Sequence, residues 1–181
     1  MVMAKKPSVD NLPNYHIEIA PYDPGWPEWF QVERARVMAA LGDLAAAVEH
    51  SGSTAVPGMA AKPILDILVG VDDLKKAPRT VPLLEDLGYV YHGELRSSWL
   101  FFRTDDPHDR HLHVVEWDGQ DWWSQLAFRD ALRADTKLVA DYERVKIELA
   151  ERFADDRAGY TAGKGEFVKS ILDRVRAELE S

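Results

Sequence analysis

Apolar and polar positions along the chain divide it into a first part of short alternating or apolar runs and a second part with helical spacing. His16-Ile17-Glu18-Ile19 alternates with period two and predicts a short strand or extended entry segment. The stretch from Pro21 to Pro27 is turn-rich, and its last proline suits the first turn of a helix. From Glu28 to about Leu41 the residues Trp29, Phe30, Val37, Met38 and Leu41 recur near helical spacing. Ala46 to His50 reads as a short strand, and Ile64 to Val71 as a strand deep in a sheet, apolar throughout except for Asp66. The pair Asp72-Asp73 caps a helix expected to reach Leu87, with Pro78 and Pro82 confining its early turns. Further strands are expected at Tyr89–His92, Ser98–Arg103 and His111–Trp117, the last closed by the turn dipeptide Asp118-Gly119. Beyond it the pattern predicts helices over Trp122–Ala134, Lys137–Phe153 and Tyr160–Leu179.

Strands before residue 118 and helices after it predict an α+β domain spanning 16–181, its mixed β-sheet covered by helices on one face and followed by a helical C-terminal extension. Residues 1–15, without periodicity, are expected to fray. A length of 181 residues suffices for one well-cored domain, and 46% hydrophobic with 29% charged residues is ordinary for a globular chain. The net charge of −9 argues against a general nucleic-acid or anionic-membrane binder, because phosphate backbones demand positive charge. The chain has no cysteine, which excludes disulfides, thiolate metal sites and cysteine nucleophiles. No apolar run approaches the roughly 20 residues of a membrane helix, and Met1–Lys6 leads into no apolar signal core, so a cytoplasmic location is expected.

Candidate chemistry concentrates in the run from His50 to Val69. Gly52 and Gly58 permit backbone conformations closed to other residues, so the turn Gly52-Ser53-Thr54 is a candidate anion cradle of consecutive amides, with Lys62 placed to neutralise phosphate. Asp66 sits among Ile64, Leu65, Ile67 and Leu68, where a carboxylate is costly unless paired, hydrogen-bonded or bound to a cation. Its alternative role is to accept hydrogen bonds from loop amides. His111 and His113 project from one face of a strand and can meet one ion, whereas Glu116 points to the opposite face unless the strand bulges. Arg103 is suited to phosphate recognition or to surface ion pairing in an acid-rich loop. Arg129 shares a helix face with Arg133, and Lys146 and Lys164 are further candidate cations. The six tryptophans read as packing residues, with Trp122-Trp123 the pair placed to stack a base or to meet a second copy of the chain in a homodimer.

The Gly-Ser pair, a short spacer and an acid within an apolar strand resemble the active-site signature of the nucleotidyltransferase superfamily. Within it, His50 to Asp66, His111-Leu112-His113-Val114, Leu126 to Arg133 and Lys164-Gly165-Glu166-Phe167-Val168 resemble the GrpB family, and together these cover most of residues 16–175. The resemblance implies transfer of a nucleoside monophosphate from a nucleoside triphosphate to a small-molecule acceptor. Together with the residue chemistry it points to Asp66, His111, His113 and Lys62 as catalytic residues and to Gly52, Ser53, Thr54 and Arg129 as substrate contacts, to which Arg103 and Lys146 are added on residue chemistry alone. The metal ligands it implies are Asp66, His111, His113 and Glu116, holding Mg2+ or Mn2+, with Zn2+ or Fe2+ as alternatives. The superfamily's second acid, two positions after the first, is Leu68 here. That departure favours either a non-catalytic nucleotide-binding module or a single-metal lyase, cyclase or hydrolase on the same scaffold as the competing readings.

Overall fold

A computed structural model describes residues 16–96, 99–105, 107 and 109–180. The expected N-terminal segment 1–15 and Ser98, the first residue of an expected strand, lie outside the described residues. Strands β1 (Ala47–Ser51), β2 (Leu65–Val71), β3 (Val90–Arg96), β4 (Trp99–Arg103) and β5 (Arg110–Glu116) form one sheet in the order β1-β2-β5-β4-β3. The β2 and β5 strands run parallel and the other pairings are antiparallel. Strand β2 is flanked on both edges and covered on both faces, which is the physical reason for its nearly unbroken apolar run.

Helices α1 (Trp26–Leu41) and α2 (Thr80–Glu85) cover one face, where Phe30, Val37, Leu41 and Leu84 pack on Val48, Ile67, Val69, Phe102, Leu112 and Val114. Each such side chain contributes about 1.5–3 kcal/mol of burial energy. The C-terminal extension comprises α3 (Gln120–Ala134), α4 (Thr136–Arg152), α5 (Arg157–Gly163) and α6 (Gly165–Leu179), and it folds back toward the opposite face. There Trp122 packs with Leu68, Trp99 and Val115. A Cβ at Gly70 would press on Trp117 and Trp122 at about 3.0 Å, so the missing side chain is what admits the indole to the sheet. A second cluster of Leu132, Leu138, Tyr142 and Ile171 with Val56 and Met59 fastens these helices to the loop between β1 and β2.

One expectation is narrowed and two change. Of the strand or extended entry segment expected at His16–Ile19, the strand does not form: Ile17 is buried and its amide donates to the Ala154 carbonyl at 2.7 Å, and the nearby pairing is a single bridge between Ala20 and Ala61. The helix expected after Asp73 splits into a 3-10 turn, Leu74–Arg79, capped by the Asp73 carboxylate, and the short α2, because Pro78 and Pro82 each lack an amide hydrogen. The last expected helix divides into α5 and α6 between Gly163 and Gly165, the two residues of that segment least suited to a helix interior.

Candidate functional site

Strand register decides which side chains meet. Ser51 aligns with Asp66, Asp66 with His111, and His111 with Arg103. One polar row therefore crosses four strands on the face toward the C-terminal helices, and the next row on that face is Glu49, Leu68, His113 and Phe101. Asp66 Oδ1 lies 3.4 Å from His111 Nδ1 and 3.8 Å from His113 Nε2. The indole Nε1 of Trp99 donates to His113 Nδ1 at 2.7 Å. Phe101 packs its ring 5.2 Å from both imidazoles. Burial by itself raises the pKa of Asp66, but the imidazoles of His111 and His113 outweigh it and hold the carboxyl well below the usual range. Asp66 is thus an anion, with 30% of its side chain exposed to the cavity beside it.

That cavity, of about 610 Å³, lies between the polar rows and helices α3 to α6. Among the described lining residues seven are Lys or Arg and three are Asp, in a chain of net charge −9. Lys62 and Lys164 both approach the Tyr160 ring, at 5.3 and 4.7 Å from its centroid, and Lys146 lies 5.1 Å from the centroid of Tyr142. Lys146 also donates to Ser53 Oγ at 3.3 Å and to the Ala60 carbonyl, while Glu143, one helical turn earlier, accepts from the Ala60 amide. Burial lowers the Lys146 pKa to about 8. Burial, reinforced by the charges of Lys62 and Lys146 and opposed by Asp66, lowers that of Lys164 to about 8 as well. Three like charges gathered in a partly desolvated pocket cost energy that an anion would recover.

Gly52, Ser53, Lys62, Asp66, Arg103, His111, His113 and Lys146 all line this cavity. Gly52, at φ +69°, has its Cα so close to Asp66 that an added Cβ would overlap the carboxylate, 2.8 Å from its Cγ. Arg103 keeps an ion pair with Asp105, its Nε 2.6 Å from Oδ1.

Three expected contacts stand elsewhere. Thr54 is buried away from the cavity and donates to the Ile64 carbonyl at 3.3 Å while accepting from His50 Nε2 at 3.0 Å. His50 itself stacks on Phe30 on the sheet's other face, where burial lowers its pKa to about 4. Arg129 is buried in a structural tie: its guanidinium donates to Glu49 at 2.8 Å, to the His50 carbonyl at 2.9 Å and to the adjacent Asp130 at 2.8 Å. Glu116 is exposed and aligns with Val71, five positions along from the Asp66–His111 level and so about 16 Å away, on the opposite face of β5. Among the described residues, no group of three or more His, Asp or Glu is arranged to hold a metal ion.

Tyr142, Tyr160, Arg157 and Arg176 also line the cavity, although nothing in the sequence marks them for it. Lys164, a candidate cation within the Lys164-Gly165-Glu166-Phe167-Val168 stretch, lines it as well. Trp122 is accounted for by packing, and Trp123 receives the Arg176 guanidinium at 4.9 Å from its ring centroid.

A family model described as GrpB protein matches residues 16–174. The chain belongs to the GrpB family. A UPF0157 protein of Pseudomonas aeruginosa is 39% identical over 173 residues, covering 92% of this chain and 71% of that protein. The crystal structure of conserved protein GrpB from Enterococcus faecalis superimposes with a TM-score of 0.82 at 32% identity, covering 91% of this chain and 100% of that one. A dephospho-CoA kinase of Mycolicibacterium paratuberculosis is 33% identical over 188 residues, covering 88% of this GrpB-family chain but 46% of the kinase. The sheet order and returning helices described above are therefore those of a GrpB fold, and the cavity is a feature of that fold in this chain.

Proposed function

We propose that this GrpB-family chain binds a nucleoside triphosphate or a related nucleotide, its phosphates held by Lys62, Lys146 and Lys164 and its sugar or base end directed toward the Asp66 row. The observation that carries this reading is the convergence of the three lysines about Tyr142 and Tyr160, with Lys146 on Ser53, in the cavity that Asp66 also lines. A phosphate chain supplies the charge that this pocket lacks and that an overall acidic chain does not offer it. Similarity to part of a dephospho-CoA kinase supports a nucleotide-related role.

Transfer of a nucleoside monophosphate to a small-molecule acceptor is the fuller reading, and Asp66 favours it as an anionic group facing the lysines. A two-metal centre does not suit the donors present, since Leu68 fills the position of a second acid and Glu116 lies on the far side of β5. Magnesium or manganese would then enter with the nucleotide's own phosphates rather than on a preformed protein site. Calorimetric titration with ATP, GTP and dephospho-CoA, with and without Mg2+ or Mn2+, tests binding, and 31P NMR of the same mixtures with added hydroxyl or amine acceptors reads pyrophosphate release. Saturable nucleotide binding lost in Lys164→Met supports the reading, and pyrophosphate release extends it to transfer. Absence of binding by every nucleotide overturns it.

A further inference from the structure

We infer that Trp99, His113 and Asp66 form a tautomer-locked clamp: Trp99 forces the His113 proton onto Nε2, His113 presents that N–H toward Asp66, and the cluster readies a carboxylate to accept a ligand hydroxyl rather than caging a metal ion. An indole N–H can only donate, so the His113 Nδ1 that receives it at 2.7 Å must offer a lone pair. Turning the ring over would set a Cδ2 hydrogen against the indole hydrogen, which fixes the ring's orientation as well. In the neutral imidazole the single proton then resides on Nε2, the nitrogen 3.8 Å from Asp66 Oδ1. A ligating histidine has the reverse arrangement, with its lone pair on the metal and its other N–H donated outward. His113 meets a donor on the side where a ligating ring needs an acceptor.

The remaining geometry agrees. His111 Nδ1 approaches the same Oδ1 at 3.4 Å, so both imidazoles converge on one oxygen of Asp66. The other oxygen, Oδ2, lies against Gly52 at the edge of the cavity that holds the lysines. A carboxylate with both imidazoles gathered at one oxygen, and with 30% of its side chain exposed beside the cavity, suits a hydroxyl carried near a phosphate group, as on a ribose. The position on β2 that would give a second acid on this face is Leu68, which is closed over by Trp99, Val115 and Trp122.

The test uses the full chain without ligand, so its failure is separate from any failure to bind nucleotide, on which only the choice of ligand hydroxyl rests. Histidine 15N NMR should show His113 with protonated Nε2 and bare Nδ1, unchanged by one equivalent of Zn2+. Trp99→Phe keeps an aromatic ring against His113 but removes the N–H; in it the Nδ1–H form of His113 should appear and Zn2+ affinity should rise about tenfold. An Nδ1–H tautomer in the unaltered chain, or displacement of its Nε2 resonance by stoichiometric Zn2+, overturns the inference without recourse to any variant. An unchanged tautomer in a folded Trp99→Phe protein overturns it too.

Discussion

At the scale of single residues, Gly52 and Asp66 constrain each other most tightly. A left-handed φ of +69° already disfavours any side chain at 52, and the Asp66 carboxylate occupies the space a Cβ would need. Gly52→Ala should therefore cost about 1–3 kcal/mol from backbone strain, with added overlap that can be relieved by swinging Asp66 out of the imidazole pair. Urea unfolding would read the first effect. Nucleotide calorimetry would read the second, as a loss of affinity greater than the fall in stability explains. His50 offers an independent check on the opposite face. Burial depresses its folded pKa to about 4 from an ordinary 6.5, so the unfolded chain binds the extra proton between those values. Stability should rise with pH from 4 to 6.5 on its account and fall as pH is lowered through that window. Replacing His50 by Gln, which can still donate to Thr54, should flatten this slope in pH-resolved denaturation curves.

At the scale of elements, the site is a product of two strands and a helix break. Asp66 stood out in the sequence because a carboxylate in an apolar run must be compensated, and His111 with His113 because alternate strand residues share a face. Their meeting was expected as a shared ion site but could not be derived from local pattern, because it depends on the parallel pairing of β2 with β5 across the intervening α2, β3 and β4, and register is a long-range property. The cation set was legible only in part for a similar reason. Lys62 adjoins the glycine turn in sequence, whereas Lys164 reaches the cavity from the junction of α5 and α6, which a single continuous helix over Tyr160–Leu179 would not have supplied. Arg129 showed the limit of helical-face reasoning: spacing identifies a face but not its partner, here Glu49 and the His50 carbonyl at the edge strand. Arg129→Ala should thus destabilise the fold by about 1.5–3 kcal/mol through lost charged hydrogen bonds, while leaving nucleotide affinity within a factor of about two at temperatures where the variant stays folded, a division that paired melting and calorimetry would expose. Placing an acid at position 68, where the resemblance to nucleotidyltransferases led one to be expected, is also an element-scale question. Leu68 is fully buried under α3, so Leu68→Asp should remove about 2–5 kcal/mol of packing and add the cost of a buried carboxylate. The expected outcome is a chain largely unfolded by denaturant titration, with no gain of Mn2+ binding.

At the scale of the whole molecule, an acidic exterior surrounds a basic cavity, and the two respond differently to solution conditions. Exterior acids repel an approaching nucleotide over a Debye length of about 8 Å at physiological ionic strength, and salt weakens that repulsion. The lysines act at contact distance from a partly desolvated site and are screened much less, so added salt should change affinity far less than it would for an open basic patch. Protonation is the stronger control. Lys146 and Lys164 have folded pKa values of about 8, set by burial, with Lys62 repelling Lys164 and with Glu143 and Asp66 drawing the other way. Nucleotide phosphates favour the charged lysines, so affinity should hold to about pH 7 and then fall, approaching tenfold per pH unit for each lysine that must be reprotonated. Without ligand the sign reverses. The unfolded chain keeps its lysine protons up to the ordinary 10.5 while the folded chain releases them near 8, so between those values folding becomes more favourable as pH rises, as far as these two groups are concerned. Calorimetry and thermal melting across pH 7 to 10 should therefore diverge, binding weakening where the contribution of Lys146 and Lys164 to stability improves. Substituting Lys164 by Met should remove part of both trends together. If affinity instead tracks the melting temperature, loss of binding reports unfolding, and the lysines are not the groups that hold the anion.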